Sequence, residues 1–208
     1  MLILCLKGCR LCKMKKYFYL FRHGETTYNV GGFVQGQTNN SVLTEKGVEQ
    51  AFRVGEILKN YPIDVLVSSP LKRAQQTAQE VLKSFSHLPL LTDERFTEVN
   101  VGEIEGLHYT KVQEKFNEKY LQWRSLDEKY LDLCFSGGET KRQVRTRLME
   151  ALNYYAEQTP YQYIAVAGHG ILLTQALLAL GQEAVDVKNG SILFFTYEDN
   201  KLKFEKII

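Results

Sequence analysis

Four short apolar runs constrain this chain more than any other feature: YFYLF at 17–21, IDVLVSS at 63–69, LPLLT at 88–92 and YIAVAG at 163–168. The first and last show no alternation of apolar and polar residues, which is the pattern of strands buried on both faces. Helical periodicity fills the intervals. In LTEKGVEQAFRVGEILKNY, Val48, Ala51, Phe52, Gly55 and Leu58 fall on one face, and Thr44 stands where an N-cap belongs. PLKRAQQTAQEVLKSF follows the second run, with Pro70 near its start and Ala74, Ala78, Val81, Leu82 and Phe85 as its apolar stripe. TKRQVRTRLMEALNYYAEQ opens with Thr140 and Gln143 at capping-box spacing and aligns Val144, Leu148, Ala151, Leu152 and Tyr155. ILLTQALLALG is a shorter helix closed by Gly181, and SILFFTYEDNKLKFEKI reads as two strands about Asp199 and Asn200. Strand and helix in this alternation predict an α/β fold: a three-layer α/β/α sandwich around a mostly parallel central sheet.

Two segments stand outside that rhythm. Residues 107–137 are charged and aromatic, carrying Tyr109, Phe116, Tyr120, Trp123, Tyr130 and Phe135. They predict a small helical lid inserted in a domain that spans 15–208. Residues 1–14 read as an N-terminal extension that begins at an upstream start, and MKKYFYLF from Met14 is a natural start for a domain that opens on a buried strand. Cys5, Cys9 and Cys12 have C-x3-C-x2-C spacing, which is similar to the cluster motif of radical S-adenosylmethionine enzymes. Nothing long enough to supply that family's barrel precedes the strand at Tyr17, so the triplet is set aside as a loosely attached tail. Cys134 is remote from these three, no disulfide framework emerges, and a cytoplasmic setting is expected. The 26 basic and 24 acidic residues leave a net charge of only +2, spread along the chain. That balance argues against nucleic acid or membrane as a partner, and leaves monomer or homodimer open.

The polar residues at the ends of the apolar runs converge. YFYLF leads into Arg22-His23-Gly24, and YIAVAG into His169-Gly170. Open α/β sheets bind ligands just beyond the carboxyl ends of their strands, where both imidazoles sit. IDVLVSSPLKR brings Arg73 to the same edge in the first turn of the next helix, and the segment after LPLLT offers Glu98. A single histidine at a strand end is usually structural, but two histidines, two arginines and a carboxylate at one edge form a candidate site.

From Lys15 to about residue 197 the chain resembles the histidine phosphatase superfamily, the phosphoglycerate mutase-like proteins. FRHGETTYN resembles that family's opening motif, and QGQTNNSVLTEKG, SSPLKRAQQTA, TEVNVGEIEG, SGGET and AGHG follow in the family's order. The resemblance implies His23 as a phosphorylated nucleophile and Glu98 as proton donor. It makes Arg22, Arg73 and His169 the rest of a phosphate pocket, with Asn29, Gln35, Gly36 and Gly170 against the phosphate or substrate. QGQTNNSVLT is one residue longer than the usual run and lacks its common Asp-Ser-Pro, and Gly168 stands where a serine is frequent.

The residue types suit the chemistry. Imidazole attacks phosphorus only through an unprotonated nitrogen, and nearby guanidiniums disfavour a further positive charge. The same guanidiniums grip phosphate oxygens through an in-line transfer. No metal cage is visible, Glu103, Glu105 and Glu139 are expected to orient loops, and the chemistry requires no cofactor. The expected reaction is hydrolysis of a small phosphomonoester through phosphohistidine. A cofactor-dependent phosphoglycerate mutase and a non-catalytic phosphate-binding member are the alternatives; ETTYN and the short lid favour the hydrolase, and the intact histidines and Glu98 disfavour the binding member.

Overall fold

The structure of the protein is a computed structural model that describes residues 14–183 and 185–208. Cys5, Cys9 and Cys12 lie outside the described residues. In chain order the elements are β1 (Lys16–Arg22), α1 (Thr27–Gly31), α2 (Glu45–Leu58), β2 (Val65–Ser68), α3 (Lys72–Leu82) and β3 (Leu90–Thr92). They continue as α4 (Tyr109–Arg124), α5 (Lys141–Glu157), β4 (Tyr163–Gly168), α6 (Gly170–Ala179), β5 (Ile192–Glu198) and β6 (Lys201–Ile207).

The sheet order is β3-β2-β4-β1-β5-β6. The first four strands run parallel, while β5 is antiparallel to β1 and β6 to β5. Alternation along β1 makes the two faces. Phe18 and Leu20 join the core that α5 and α6 cover, and Tyr19 and Phe21 join the one that α2 and α3 cover. Burying each of these large side chains stabilises the fold by about 1.5–3 kcal/mol. The β5–β6 hairpin turns through Asp199 and Asn200, both with left-handed φ (51° and 62°), as a tight two-residue turn requires.

The expected caps form. Thr44 Oγ1 accepts from Gly47 N (3.0 Å), and Thr140 and Gln143 make a reciprocal capping box. Gly181 closes α6 with φ +67°. One expectation needs correction: the buried stripe of α2 is Gly47, Ala51, Val54, Gly55 and Leu58. Val48 and Phe52 are 38% and 48% exposed. The helix turns its glycines inward because backbone comes so close there. A Cβ on Gly47 would lie 2.0 Å from Glu25 O, and one on Gly24 would lie 2.1 Å from Gly47 O.

In the aromatic excursion, α4 is kinked at Asn117 (φ 24°), and a short 3-10 turn follows at Glu128–Tyr130. Val112, Tyr120, Trp123 and Phe135 bury into the same core that α5 and α6 cover. Among the described residues no helix is long and apolar enough to cross a membrane.

Candidate active site

Strand register brings the two histidines together. Arg22 at the end of β1 pairs with Gly168 at the end of β4, so His23 and His169 leave neighbouring strands side by side. His23 N donates to Gly168 O (3.0 Å), and Asn189 Nδ2 donates to His23 O (2.8 Å). The rings lie 5.3 Å apart, centroid to centroid.

A cleft of about 300 Å³ opens over this edge. Arg22, His23, Gln35, Gly36, Arg73, Glu98 and Gly170 all line it. His169 is fully buried beside His23 and does not reach the wall. Asn29 is not on the wall either. Its Oδ1 accepts from Thr26 N (3.1 Å) in the capping box of α1 and lies 3.4 Å from Asn189 Nδ2.

The hydrogen bonds of His23 decide its tautomer. Nδ1 is 2.7 Å from the Gly24 carbonyl, which can only accept, so the ring hydrogen sits on Nδ1. Nε2 keeps its lone pair and accepts from Arg73 Nε (3.2 Å). Burial, then Arg73 and Arg22, hold the His23 pKa well below the ordinary histidine value, against the pull of the Gly24 carbonyl. The result is a neutral imidazole whose unprotonated Nε2 is held by the Arg73 N–H.

His169 is neutral for the same reasons: burial first, then Arg73 and His23. Its Nε2 is 2.8 Å from Ser69 Oγ, and Ser69 Oγ also accepts from Leu71 N (3.2 Å). Among the described residues, Nε2 is the one acceptor within reach of that hydroxyl hydrogen, which leaves the ring hydrogen on Nδ1. Nδ1 is buried with no partner. A buried donor without an acceptor costs about 1–3 kcal/mol, so this one calls for an incoming oxygen.

The arginines are fixed from behind. Arg73 Nη2 donates to Gly36 O (2.7 Å) and Nη1 to Thr38 O (3.1 Å). Burial lowers its pKa to about 10, with Glu98 opposing and Arg22 adding to the fall; it remains a cation at neutral pH. Arg22 Nη1 donates to Val187 O (2.7 Å), while Nε is buried and unpaired. Among the described residues neither arginine has a carboxylate within ion-pairing distance. Two cations and an orphaned N–H at one cleft make a receptor for a dianion.

Glu98 enters from the segment after β3. Its carboxylate accepts from Val99 N (3.0 Å) and from Ile171 N (3.0 Å) and Leu172 N (3.1 Å) in the first turn of α6. The side chain thus also satisfies the open end of that helix. Its backbone is held by residues that sequence reasoning missed. Gln37 Nε2 and Arg147 Nη2 both donate to Glu98 O (2.9 and 3.1 Å). Arg147 further holds Arg95 O and Thr97 O (2.8 and 2.7 Å) and forms a two-pronged pair with Glu139. Glu105 and Glu139 do orient loops, accepting from Gln37 N (2.8 Å) and Asn100 N (3.1 Å). Thr77 Oγ1 accepts from Gly24 N (3.1 Å); Ser69 and Thr77 lie in the SSPLKRAQQTA motif but were given no role there, and Asn189 and Arg147 were not singled out in the sequence. The signal for Ser69 and Thr77 was their place in that motif, four residues before and four after Arg73.

Among the described residues no group of three or more His, Cys, Asp or Glu is arranged to hold a metal ion.

Known proteins share this arrangement of strands and helices. A metal-independent phosphoserine phosphatase of Arabidopsis thaliana is 33% identical over 185 residues, covering 88% of this chain and 76% of its own. An uncharacterized phosphatase of Bacillus subtilis is 32% identical over 151 residues, covering 73% of this chain and 70% of its own. The crystal structure of a phosphoglycerate mutase from Bacillus anthracis superposes with a TM-score of 0.84 at 27% identity, covering 94% of this chain and 93% of that one. The model of the histidine phosphatase superfamily, branch 1, matches residues 18–207, from the strand before His23 to the end of β6, and the chain belongs to that superfamily.

Proposed function

We propose that the protein is a phosphomonoesterase that hydrolyses a small phosphorylated metabolite through phospho-His23. The observation that carries this reading is the unprotonated Nε2 of His23 at the wall of the cleft, with Nδ1 anchored on Gly24 and Nε2 held by Arg73 Nε–H. In the first step the hydrogen bond of Arg73 Nε–H passes from Nε2 to a phosphoryl oxygen, and the freed Nε2 lone pair forms a bond to phosphorus as the ester P–O bond breaks. Glu98 gives its proton to the departing alkoxide, and Arg22 and Arg73 offset the charge on the phosphoryl oxygens. The orphaned Nδ1–H of His169 gains a phosphate oxygen as acceptor once the wall that buries it yields to the bound phosphate. In the second step Glu98 takes a proton from water, water oxygen bonds to phosphorus, and the P–N bond breaks to return Nε2 its lone pair.

The residues that carry these steps are nitrogen and oxygen groups of the chain itself, which supports a metal-independent reaction. Cysteine usage supports a cytoplasmic one. Rapid quenching with labelled substrate tests the intermediate: acid-labile, alkali-stable phosphate is expected on the protein and lost in His23→Ala. EDTA is expected to leave turnover unchanged; activity lost to chelator and restored by a divalent ion would refute the mechanism. The likeness to a phosphoglycerate mutase keeps a second reading in play, in which the phosphoryl group returns to another hydroxyl. Phosphate release from 3-phosphoglycerate, set against its conversion to the 2-isomer, separates the two.

A further inference from the structure

The cleft extends beyond the phosphate end to a wall that α4 and α5 build. Tyr120, Trp123 and Arg124 on α4 and Lys141 on α5 line it. Tyr120 and Trp123 are near-parallel rings 6.3 Å apart. Lys141 is the first residue of α5 and only 5% exposed. A cation there is doubly disfavoured, since burial strips its hydration and the helix N-terminus already carries partial positive charge. What it has gained does not offset this. Nζ donates to Ser125 O (2.6 Å) and sits 5.9 Å over the Trp123 ring. Among the described residues no other acceptor meets it, and Glu128, whose charge it feels, is already gripped by Arg145 (2.7 and 3.2 Å). Two ammonium hydrogens are left for something else. Arg124, one residue before Ser125, likewise has no carboxylate within ion-pairing distance among the described residues; Asp186, which lines the same cleft and feels its charge, is paired with Lys188 (2.5 Å). Its guanidinium lies 5.8 Å over the Tyr120 ring.

We infer that Lys141 and Arg124 form a second anion subsite, so that the substrate is a small phosphomonoester with a further carboxylate or phosphate on its other end. The two cations stand over an aromatic wall in the same cleft as His23, which suits a short carbon skeleton between two anionic groups. For turnover the inference rests on the phosphatase reading; for binding it does not.

The test uses esters that differ only at the far end. 3-Phosphoglycerate and glycerol 3-phosphate exchange a carboxylate for a hydroxymethyl group, and glycerol 1,3-bisphosphate supplies a second phosphate. The wild-type protein is expected to favour at least one charged-ended ester over glycerol 3-phosphate by about 10- to 100-fold in kcat/KM, the worth of a charge-assisted hydrogen bond. Preference for the acid alone identifies a carboxylate, and preference for the bisphosphate alone a phosphate. In Lys141→Met, and separately in Arg124→Gln, that ratio should fall about tenfold. Equal rates for all three esters in the wild type, or a ratio that survives both substitutions, would overturn the inference. Calorimetric titration of His23→Asn with the same esters reads the subsite without chemistry. A protein that turns over none of them, nor p-nitrophenyl phosphate, yet binds the charged-ended esters more tightly, keeps the subsite and refutes the phosphatase.

Discussion

Replacing Arg147 with methionine should loosen the proton donor without touching the cleft. Arg147 is not part of the cleft wall, but it joins five acceptor contacts: two on Glu139 and the carbonyls of Arg95, Thr97 and Glu98. Its side chain is 17% exposed and that of Glu139 20%, so water reaches the pair only in part. Removing one partner of a fully buried pair costs about 3–5 kcal/mol. Partial exposure argues for the lower end, so a loss of about 3 kcal/mol is expected by urea denaturation. Glu139→Gln keeps an acceptor and should lose less, and the double variant should show a coupling of about 1–3 kcal/mol. Function supplies the sharper readout. If the clamp positions Glu98, the first-turnover burst should fall about tenfold or more for an alkyl phosphate, whose leaving group needs the proton. The burst with p-nitrophenyl phosphate, whose leaving group departs nearly unaided, should fall far less. A variant within about 1 kcal/mol of wild-type stability, or equal burst losses for both esters, would refute the clamp.

Three further outcomes follow from the same geometry. Both histidines have pKa values lowered in the folded state, so the unfolded chain binds more protons as pH falls below about 6.5. Their neutral burial is therefore free of penalty above that pH, and stability should drop by about 1.4 kcal/mol per pH unit for each below it; denaturant titrations of wild type and His169→Asn at pH 5 to 8 would show the slope, and an unchanged slope would count against neutral burial. Ser69→Ala removes the hydroxyl donor to His169, so it should cost about 1–3 kcal/mol and shift the imidazole nitrogen-15 resonances toward a mixed tautomer; unchanged resonances would refute the tautomer assignment. Gly36→Ala places a methyl 2.5 Å from Val101 Cγ2 and 2.6 Å from Glu105 Oε2 at φ +52°. Because Gly36 O holds Arg73, its KM for any phosphomonoester should rise with a stability loss of about 1–3 kcal/mol, and an unchanged KM would show that Arg73 is held without it.

What was legible in the sequence had a local cause. β1 and β4 are buried on both faces, so they read as unbroken apolar runs, and Arg22, His23, His169 and Gly170 follow within two residues of their ends. Arg73 and Glu98 could be placed because a helix start and a loop after β3 return to the same edge. Periodicity misread α2, since it took Val48 and Phe52 as buried and passed over Gly47 and Val54, whereas Gly47 makes the close contact. Arg147 was invisible because a charged residue within a helix reads as solvated. Only the fold shows that it meets three carbonyls from residues 95–98. Lys141 was hidden in the same way by its place directly after an N-cap.

The position of β1 has a consequence for how the chain is made. It is the earliest strand of the sheet, yet its two neighbours, β4 and β5, begin only at Tyr163 and Ile192. At about 5–20 residues per second, roughly 9–35 s separate the synthesis of β1 from that of β5. Until β4 is made, Phe18, Leu20 and Phe21 have no strand on either side, and until β5 is made they have a strand on one side only. The central strand must therefore wait in a collapsed or chaperone-held form, and the sheet closes almost at once when the final 50 residues arrive. His23 and His169, which leave β1 and β4, meet only at that late stage. A nascent chain cut short before β4 should bind neither phosphate nor substrate, so truncation yields a silent product rather than a weakened enzyme.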